Sequence, residues 1–525
     1  MSIYEEQEIL IQALLSPAAY DHEVDQARLI ETHISWVILT GDYAYKIKKP
    51  VNLGFLDFSS LEKRKHLCEE EIRLNRRLAP NIYLDVVAIN GSMEQPQING
   101  DGTTIEYAVR MSQFPQEAQL DRMLERGELQ AQHMDALARM VADFHAQIPQ
   151  VDAQSEYGEP THVYQPITDT LTTLRKHITD PQGLSVIDEL DTWCQRRFAE
   201  LRELIVQRKA DGYVRECHGD MHLRNLAWID GQPLAFDCIE FNPKLIWNDV
   251  ISEVAFLMMD LDNRGQAQLA MRFINRYLEQ TGDYAGVRLL RFYLVYRALV
   301  RAMVDAIRLG QEGIDDSESA AAEQESQAYL KLALDYTRHS RTCLILTRGL
   351  SGSGKTTLTQ PLLEQLGALR IRSDVERKRM FGLKAEQNGH VDYAQGMYSA
   401  EATERTYERL VQLADSILLG GYTVIVDATF QHVFQRQYFY ALAKKRDVEV
   451  IILDLRASPE TLRQRIATRK GDASDADIKI LKHQSDNWKH LDENEPSRMI
   501  PVDTEEPLDL ALLANAIRQS ARSVE

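Results

Sequence analysis

Alternation of apolar and polar positions is sharpest between residues 33 and 51, where Tyr43, Tyr45 and Ile47 alternate with Ala44, Lys46 and Lys48. A period of two predicts strands, and Gly41-Asp42 between the two runs predicts a hairpin. Residues 59–79 switch to helical spacing, with Leu61, Cys68, Ile72 and Leu78 apolar and Ser59 or Ser60 placed to cap. Strand-like segments return at 82–89 and 104–111, and helical patterns dominate from about residue 119. The first part of the chain therefore reads as a small strand-rich lobe followed by a larger helical one.

The last part alternates. Apolar runs at 343–348, 422–429 and 448–455, with a short strand before Asp374, are interleaved with helical stretches after Lys355, across 399–419, from about 432 and from Pro459. Such alternation predicts a parallel sheet flanked by helices. Between the two parts, residues 309–326 are acidic, serine-rich and free of aromatics, as in a solvated linker or frayed helix end, and 327–340 reads as a helix. The expected division is 1–308, a linker with connecting helix at 309–340, and 341–525.

Composition narrows the partners. At roughly 100–200 residues per domain, 525 residues predict two to four domains. Sixty lysines and arginines against 79 acidic residues give a net charge of -19, so a nucleic-acid partner would need a local basic patch. The five cysteines, Cys68, Cys194, Cys217, Cys238 and Cys343, are scattered with no CxxC pair, which fits a reducing cytoplasm. The start, MSIYEEQEILIQALL, is acidic where a secretory signal is basic, and no apolar run approaches the roughly 20 residues of a membrane span. A soluble cytoplasmic protein without a membrane partner is expected.

GLSGSGKT, residues 349–356, stands between a strand and a helix, as a phosphate-binding loop requires. Glycines let backbone N–H groups turn inward around phosphate oxygens, Lys355 adds a point charge and Thr356 is able to hold Mg²⁺. The nucleotide-binding set is Gly349, Ser351, Gly352, Ser353, Gly354, Lys355, Thr356 and Thr357. A glycine-rich turn with an incidental lysine is the plain alternative. Asp427 ends a strand run and is placed to reach the metal, or else caps a helix. Asp374 is placed as a general base on an acceptor hydroxyl, or else is a cap beside a solvated run of Arg372, Arg377, Lys378 and Arg379. Arg465 and Arg469, four apart with Arg463 nearby, suit a lid over transferring phosphate, with DASDAD at 472–477 able to hold them when open. The plain alternative is a wet basic face.

CHGDMHLRNLAWIDGQPLAFDCIEFNP, residues 217–243, carries the densest chemistry of the first part. Phosphoryl transfer needs one carboxylate to orient and deprotonate the acceptor, an amide oxygen on the metal and a second carboxylate on the metal. Asp220, Asn225 and Asp237 suit those roles, the last two joined by a hairpin turning at Asp230-Gly231. His218 and His222 are expected to brace the loop, with a zinc site as the alternative. Asp249 opens a helix and is expected to anchor the loop.

The HGDMHLRN stretch with AFDCIEF resembles the aminoglycoside phosphotransferase and protein-kinase-like family, whose catalytic loop reads HGDxHxxN. The resemblance implies a two-lobed α+β domain with ATP between the lobes, Lys46 on phosphates and Glu71 as its helix partner. Lys48 shares a face with Lys46, and Glu69 or Glu70 stands in reach of the same role. The adenine-binding connector falls near Arg110 to Phe114. No G-x-G-x-x-G precedes the lysine, only Thr40-Gly41-Asp42. GLSGSGKTT, IRSDVERKR, VIVDATF and the arginines before DASDA resemble the small P-loop kinases, the gluconate-kinase-like, zeta-toxin-like and polynucleotide-kinase-like group often called AAA family ATPases. That resemblance implies an α/β domain transferring phosphate to a hydroxyl, with Asp374 at the acceptor side and Arg465 and Arg469 in the lid. The whole chain resembles a fusion of the two, which implies ATP, Mg²⁺, a small-molecule acceptor and a bifunctional kinase. The alternative is a C-terminal ATPase switch or nucleic-acid end kinase with a regulatory N-terminal domain.

Overall fold

The structure, a computed structural model, describes residues 3–52, 56–309, 316–338, 341–385, 396–468, 478–488 and 495–521. It divides into two compact units, Met1–Ala136 with Asp143–Pro166 and Arg202–Asp260, and Leu137–Ala142 with Ile167–Leu201 and Leu261–Glu525.

The first unit holds an antiparallel sheet of β1 (Arg28–Glu31), β2 (Ser35–Leu39), β3 (Tyr43–Lys48), β4 (Tyr83–Gly91), β5 (Pro96–Ile98) and β6 (Thr104–Ser112), in the order β1-β2-β3-β6-β4-β5. The β2–β3 hairpin closes where Thr40 N donates to Tyr43 O at 2.9 Å. Trp36, Ile38, Tyr45 and Ile47 share a core with Ile89 and Ala108. Period-two alternation then puts Lys46 and Lys48 on the other face of β3. Both lysines reach the Leu61–Asn75 helix, which Ser60 caps by accepting from Lys63 N. Cys68 and Ile72 of that helix pack against Tyr83 and Val109.

Four short strands frame the 217–243 segment. They are β7 (Val214–Glu216), β8 (Leu226–Ile229), β9 (Gln232–Ala235) and β10 (Trp247–Asp249), with β7 paired to β10 and β8 to β9. The β8–β9 turn uses positive φ at Asp230 (50°) and Gly231 (74°), as a two-residue hairpin demands.

The second unit holds a parallel sheet of β11 (Cys343–Arg348), β12 (Leu369–Arg372), β13 (Val424–Asp427), β14 (Glu449–Arg456) and β15 (Arg498–Asp503), in the order β12-β13-β11-β14-β15. Central β11 is buried along its whole length, whereas in edge strand β15 only Val502 is buried. Because β11 and β13 are neighbours in register, the chain leaves both toward the same end of the sheet, where ligands of such folds bind. Residues 316–326 of the acidic stretch are helical: the Asp316–Thr337 helix buries Ala322, Tyr329, Leu330 and Ala333, and Ser326 Oγ donates to Ala302 O at 3.0 Å. Glu318, Glu323 and Glu325 are exposed while Ala322 and Ser326 are buried, a one-sided pattern that composition alone conceals.

Candidate active sites

In the first unit, Lys46 Nζ lies 2.8 Å from Glu71 Oε1 and 2.5 Å from Asp237 Oδ1. Lys48 Nζ lies 2.6 Å from Glu71 Oε2 and also pairs with Glu240. Glu71 therefore divides its two oxygens between the lysines. Glu70 pairs outward with Arg73, and Glu69 outward with Lys65, which leaves Glu71 as the inward partner. Burial works against charge on Glu71, but Lys46 and Lys48 outweigh it and hold its carboxyl down at about 2. Burial likewise opposes the Lys46 ammonium, and Asp237 with Glu71 holds it well above its ordinary pKa.

Asp237 adopts φ 61°, a left-handed backbone uncommon for a non-glycine residue. That backbone is fixed on both sides, by Asp237 N donating to Tyr83 Oη at 3.0 Å and Cys238 N donating to Asn75 Oδ1 at 2.9 Å. Asn225 Nδ2 donates to Asp220 at both its carbonyl (3.0 Å) and Oδ2 (2.9 Å), which orients the carboxylate and reserves Oδ1 of the amide for a metal. His222 Nε2 stands 3.3 Å from the same Asp220 oxygen. His218 Nε2 is held by Phe236 O at 2.9 Å, and burial lowers its pKa despite Glu253 and Asp220 nearby. Both histidines brace the loop; neither pairing resembles a zinc shell.

The anchor of this loop differs from the expectation. Asp249 does not hold it: its carboxylate pairs with buried Arg208 at 2.6 Å and caps the following helix by accepting from Ile251 N. Glu253, one turn on, accepts from His218 N (2.6 Å) and Gly219 N (2.9 Å) with one oxygen and meets His145 Nε2 at 2.6 Å with the other. Burial opposes its charge, but the bond from His145 and the loop amides keep the carboxyl at about 2. Nothing in local spacing distinguishes Glu253 from Asp249, since both lie on the same stretch.

In the second unit the phosphate loop bends tightly. Gly352 has φ 83°, and a Cβ there would stand 2.8 Å from Leu462 O; a Cβ on Gly349 would stand 2.4 Å from Ser353 Oγ. Ser353 Oγ is buried and has no hydrogen-bond partner among the described residues. Lys355 Nζ rests on Gly349 O and Leu350 O, each at 3.0 Å. Thr356 Oγ1 donates to Asp427 Oδ2 at 2.8 Å, joining the two predicted metal ligands. Ser351, Gly352, Gly354, Lys355, Thr356, Thr357, Asp374, Asp427 and Arg465 line one cavity of about 1210 Å³, whereas Gly349 and Ser353 are not in its lining. Arg377, which the alternative reading of Asp374 placed in a solvated run, lines it too, as do Tyr407 and Gln431. Arg465 is tied to Thr504 (2.9 and 2.7 Å) and reaches Gly352 O at 3.4 Å. Arg469 and the 472–477 acidic run lie outside the described residues. Gln484, which sequence gave no reason to choose, accepts from Ser351 N at 2.9 Å.

The donors at both sites suit magnesium. Asn225, Asp237, Thr356 and Asp427 offer only hard oxygens. In the first unit two lysines face the three carboxylates Glu71, Asp237 and Glu240, of which Asp237 is the half-exposed one, open to a cation, while burial raises the Glu240 carboxyl.

Residues 55–290 match the phosphotransferase enzyme family, and residues 344–491 match the AAA domain. Uncharacterized protein Rv2004c of Mycobacterium tuberculosis is 30% identical over 455 residues, spanning 86% of this chain and 88% of that protein. The chain belongs to the same family as that mycobacterial protein. Uncharacterized protein Mb2027c of Mycobacterium bovis matches to the same extent. The family thus joins a kinase-like, phosphotransferase-type region to a P-loop region in one chain. Among solved structures, amicoumacin kinase hAmiN aligns at 14% identity and TM-score 0.40, over 62% of this chain and 94% of that one. Kti12 of Chaetomium thermophilum aligns at 18% and 0.28, over 34% and 98%. Scores this low carry no weight for activity. No helix among the described residues is long and apolar enough to cross a membrane.

Proposed function

We propose that the chain is an ATP- and Mg²⁺-dependent phosphotransferase with two sites, each passing phosphate to a hydroxyl of a small cytoplasmic molecule. The observation that carries the reading is the joint closure of the first site: Lys46 touches Glu71 and Asp237 while Asn225 locks Asp220. In that site Asp220 takes the acceptor proton as the acceptor oxygen bonds to the γ-phosphorus and the bond to the leaving ADP oxygen breaks. Lys46, positioned by Glu71, neutralises phosphate charge, and Asn225 with Asp237 would hold a magnesium ion, which would offset further negative charge on the nucleotide. In the second site Lys355 leaves its carbonyl perch for phosphate, Thr356 and Asp427 would hold the metal, Asp374 receives the acceptor proton and Arg465 supports the transferring group.

One feature favours a second reading. The β2–β3 turn closes as a tight hairpin through Thr40 and Tyr43, with no glycine-rich loop to cover phosphates, as a regulatory first unit would permit. Incubation with ATP labelled at the γ-phosphate and a panel of sugars, nucleosides, aminoglycosides and nucleic-acid ends separates the two. Label appearing on a small-molecule acceptor supports the proposal. Label released only as inorganic phosphate, whatever is added, favours an ATPase switch instead.

A further inference from the structure

Strand β12 is an edge of the parallel sheet, and an edge leaves backbone groups to be paired by something else. Asn275, on the Ala267–Thr281 helix, does so: its Nδ2 donates to Ala368 O at 3.0 Å and its Oδ1 accepts from Arg370 N at 2.8 Å. Four residues on, Glu279 is 6% exposed and lies 3.1 Å from Arg276, 3.5 Å from Arg370 and 3.3 Å from Arg372. Arg370 and Arg372 are two apart on β12 and so share a face. Both lead to the metal ligands of the phosphate-loop site. Arg370 Nη1 donates to Thr356 O at 3.3 Å and Thr359 Oγ1 at 3.0 Å, and Arg372 Nε stands 4.0 Å from Asp427 Oδ2.

One buried and one part-buried guanidinium group, Arg370 and Arg372, behind a cation site repel the cation unless their charge is offset. We infer that Glu279 is a positioning residue for the phosphate-loop site, holding Arg370 and Arg372 and offsetting their charge so that Mg²⁺ can join Thr356 and Asp427. The helix that supplies it lies within residues 55–290, the stretch matching the phosphotransferase family, so that stretch furnishes part of the P-loop site's support. The inference rests on reading Thr356 and Asp427 as metal ligands.

Its test is binding of a fluorescent ADP analogue to the full chain, titrated with and without Mg²⁺, in an Asp237→Asn background that removes a metal ligand of the first site. Glu279→Gln is expected to raise the Mg²⁺ concentration for half-maximal tightening about tenfold, through uncovered positive charge. Metal-free binding of the anionic nucleotide should stay equal or tighten, since the same charge attracts it. Arg372→Gln should lower the Mg²⁺ requirement, and Glu279→Gln with Arg372→Gln should return it toward the starting value. Asn275→Ala should lower Tm without moving it. Equal weakening with and without Mg²⁺ in Glu279→Gln, or an unchanged Mg²⁺ requirement, overturns the inference. Should Glu279→Gln fail to fold, an Arg372→Gln chain whose Mg²⁺ requirement does not fall overturns it as well. If the background binds ADP no better than a further Lys355→Ala variant, the nucleotide-site reading itself fails and takes the inference with it.

Discussion

Glu253 commits one oxygen to two backbone amides immediately before Asp220, so its charge sets where the proposed base sits. Glu253→Gln should lower kcat at the first site roughly 10–100-fold with little change in KM, as loss of a supporting contact does. Asp249→Asn should instead lower Tm, because it strands buried Arg208. Steady-state kinetics and thermal melts of both variants check the assignment. Asp262 gives a pH test. Burial pushes its carboxyl up to about 6, against the hydrogen bond from Tyr336. An acid raised above its unfolded value near 3.9 favours folding while protonated, and that advantage is lost as pH climbs through about 4 to 6. Asp262→Asn should therefore be more stable than the parent at pH 8, by up to about 3 kcal/mol, and about equally stable at pH 4. At this scale the sequence named the proposed reactive groups and some of their supports, Glu71, His218 and His222, but not Glu253. Asp220, Asn225 and Asp237 stand out because their chemistry is uncommon at that spacing, whereas Glu71 is one of three adjacent glutamates and only burial selects it.

The phosphate loop is the element whose backbone leaves least freedom. Gly352→Ala combines a positive φ with a Cβ 2.8 Å from Leu462 O, and Gly349→Ala would press on Ser353. Either change should abolish nucleotide binding at the second site while leaving the first intact, as titration calorimetry with Mg²⁺ and a non-hydrolysable ATP analogue would show by the loss of one of two sites. Elements with a buried face were legible. The β2–β3 hairpin, the helix after Ser60, the β8–β9 hairpin and the four strands β11 to β14 follow from periodicity and turn residues. Edge strand β15 was not, since only Val502 among its residues is buried. Nor was the first half of the Asp316–Thr337 helix, whose alanines carry little apolar signal among acids.

On the scale of the whole chain, length pointed to two to four domains and the motifs to two candidate phosphate-handling sites. What it hid is that the helix bearing Asn275 and Glu279, well ahead of the acidic stretch, packs on the P-loop sheet. A linker-like composition is visible in one dimension; side chains pairing a sheet edge are not. The central claim is that two separate sites transfer phosphate. Its most direct measurement is acceptor-stimulated ADP release, with Mg²⁺ and ATP, by the intact chain, Asp220→Asn, Lys355→Ala and the double variant. The account predicts that each single variant loses one acceptor-specific activity and keeps the other, and that the double variant is inert. Turnover changing in only one of the single variants would contradict it.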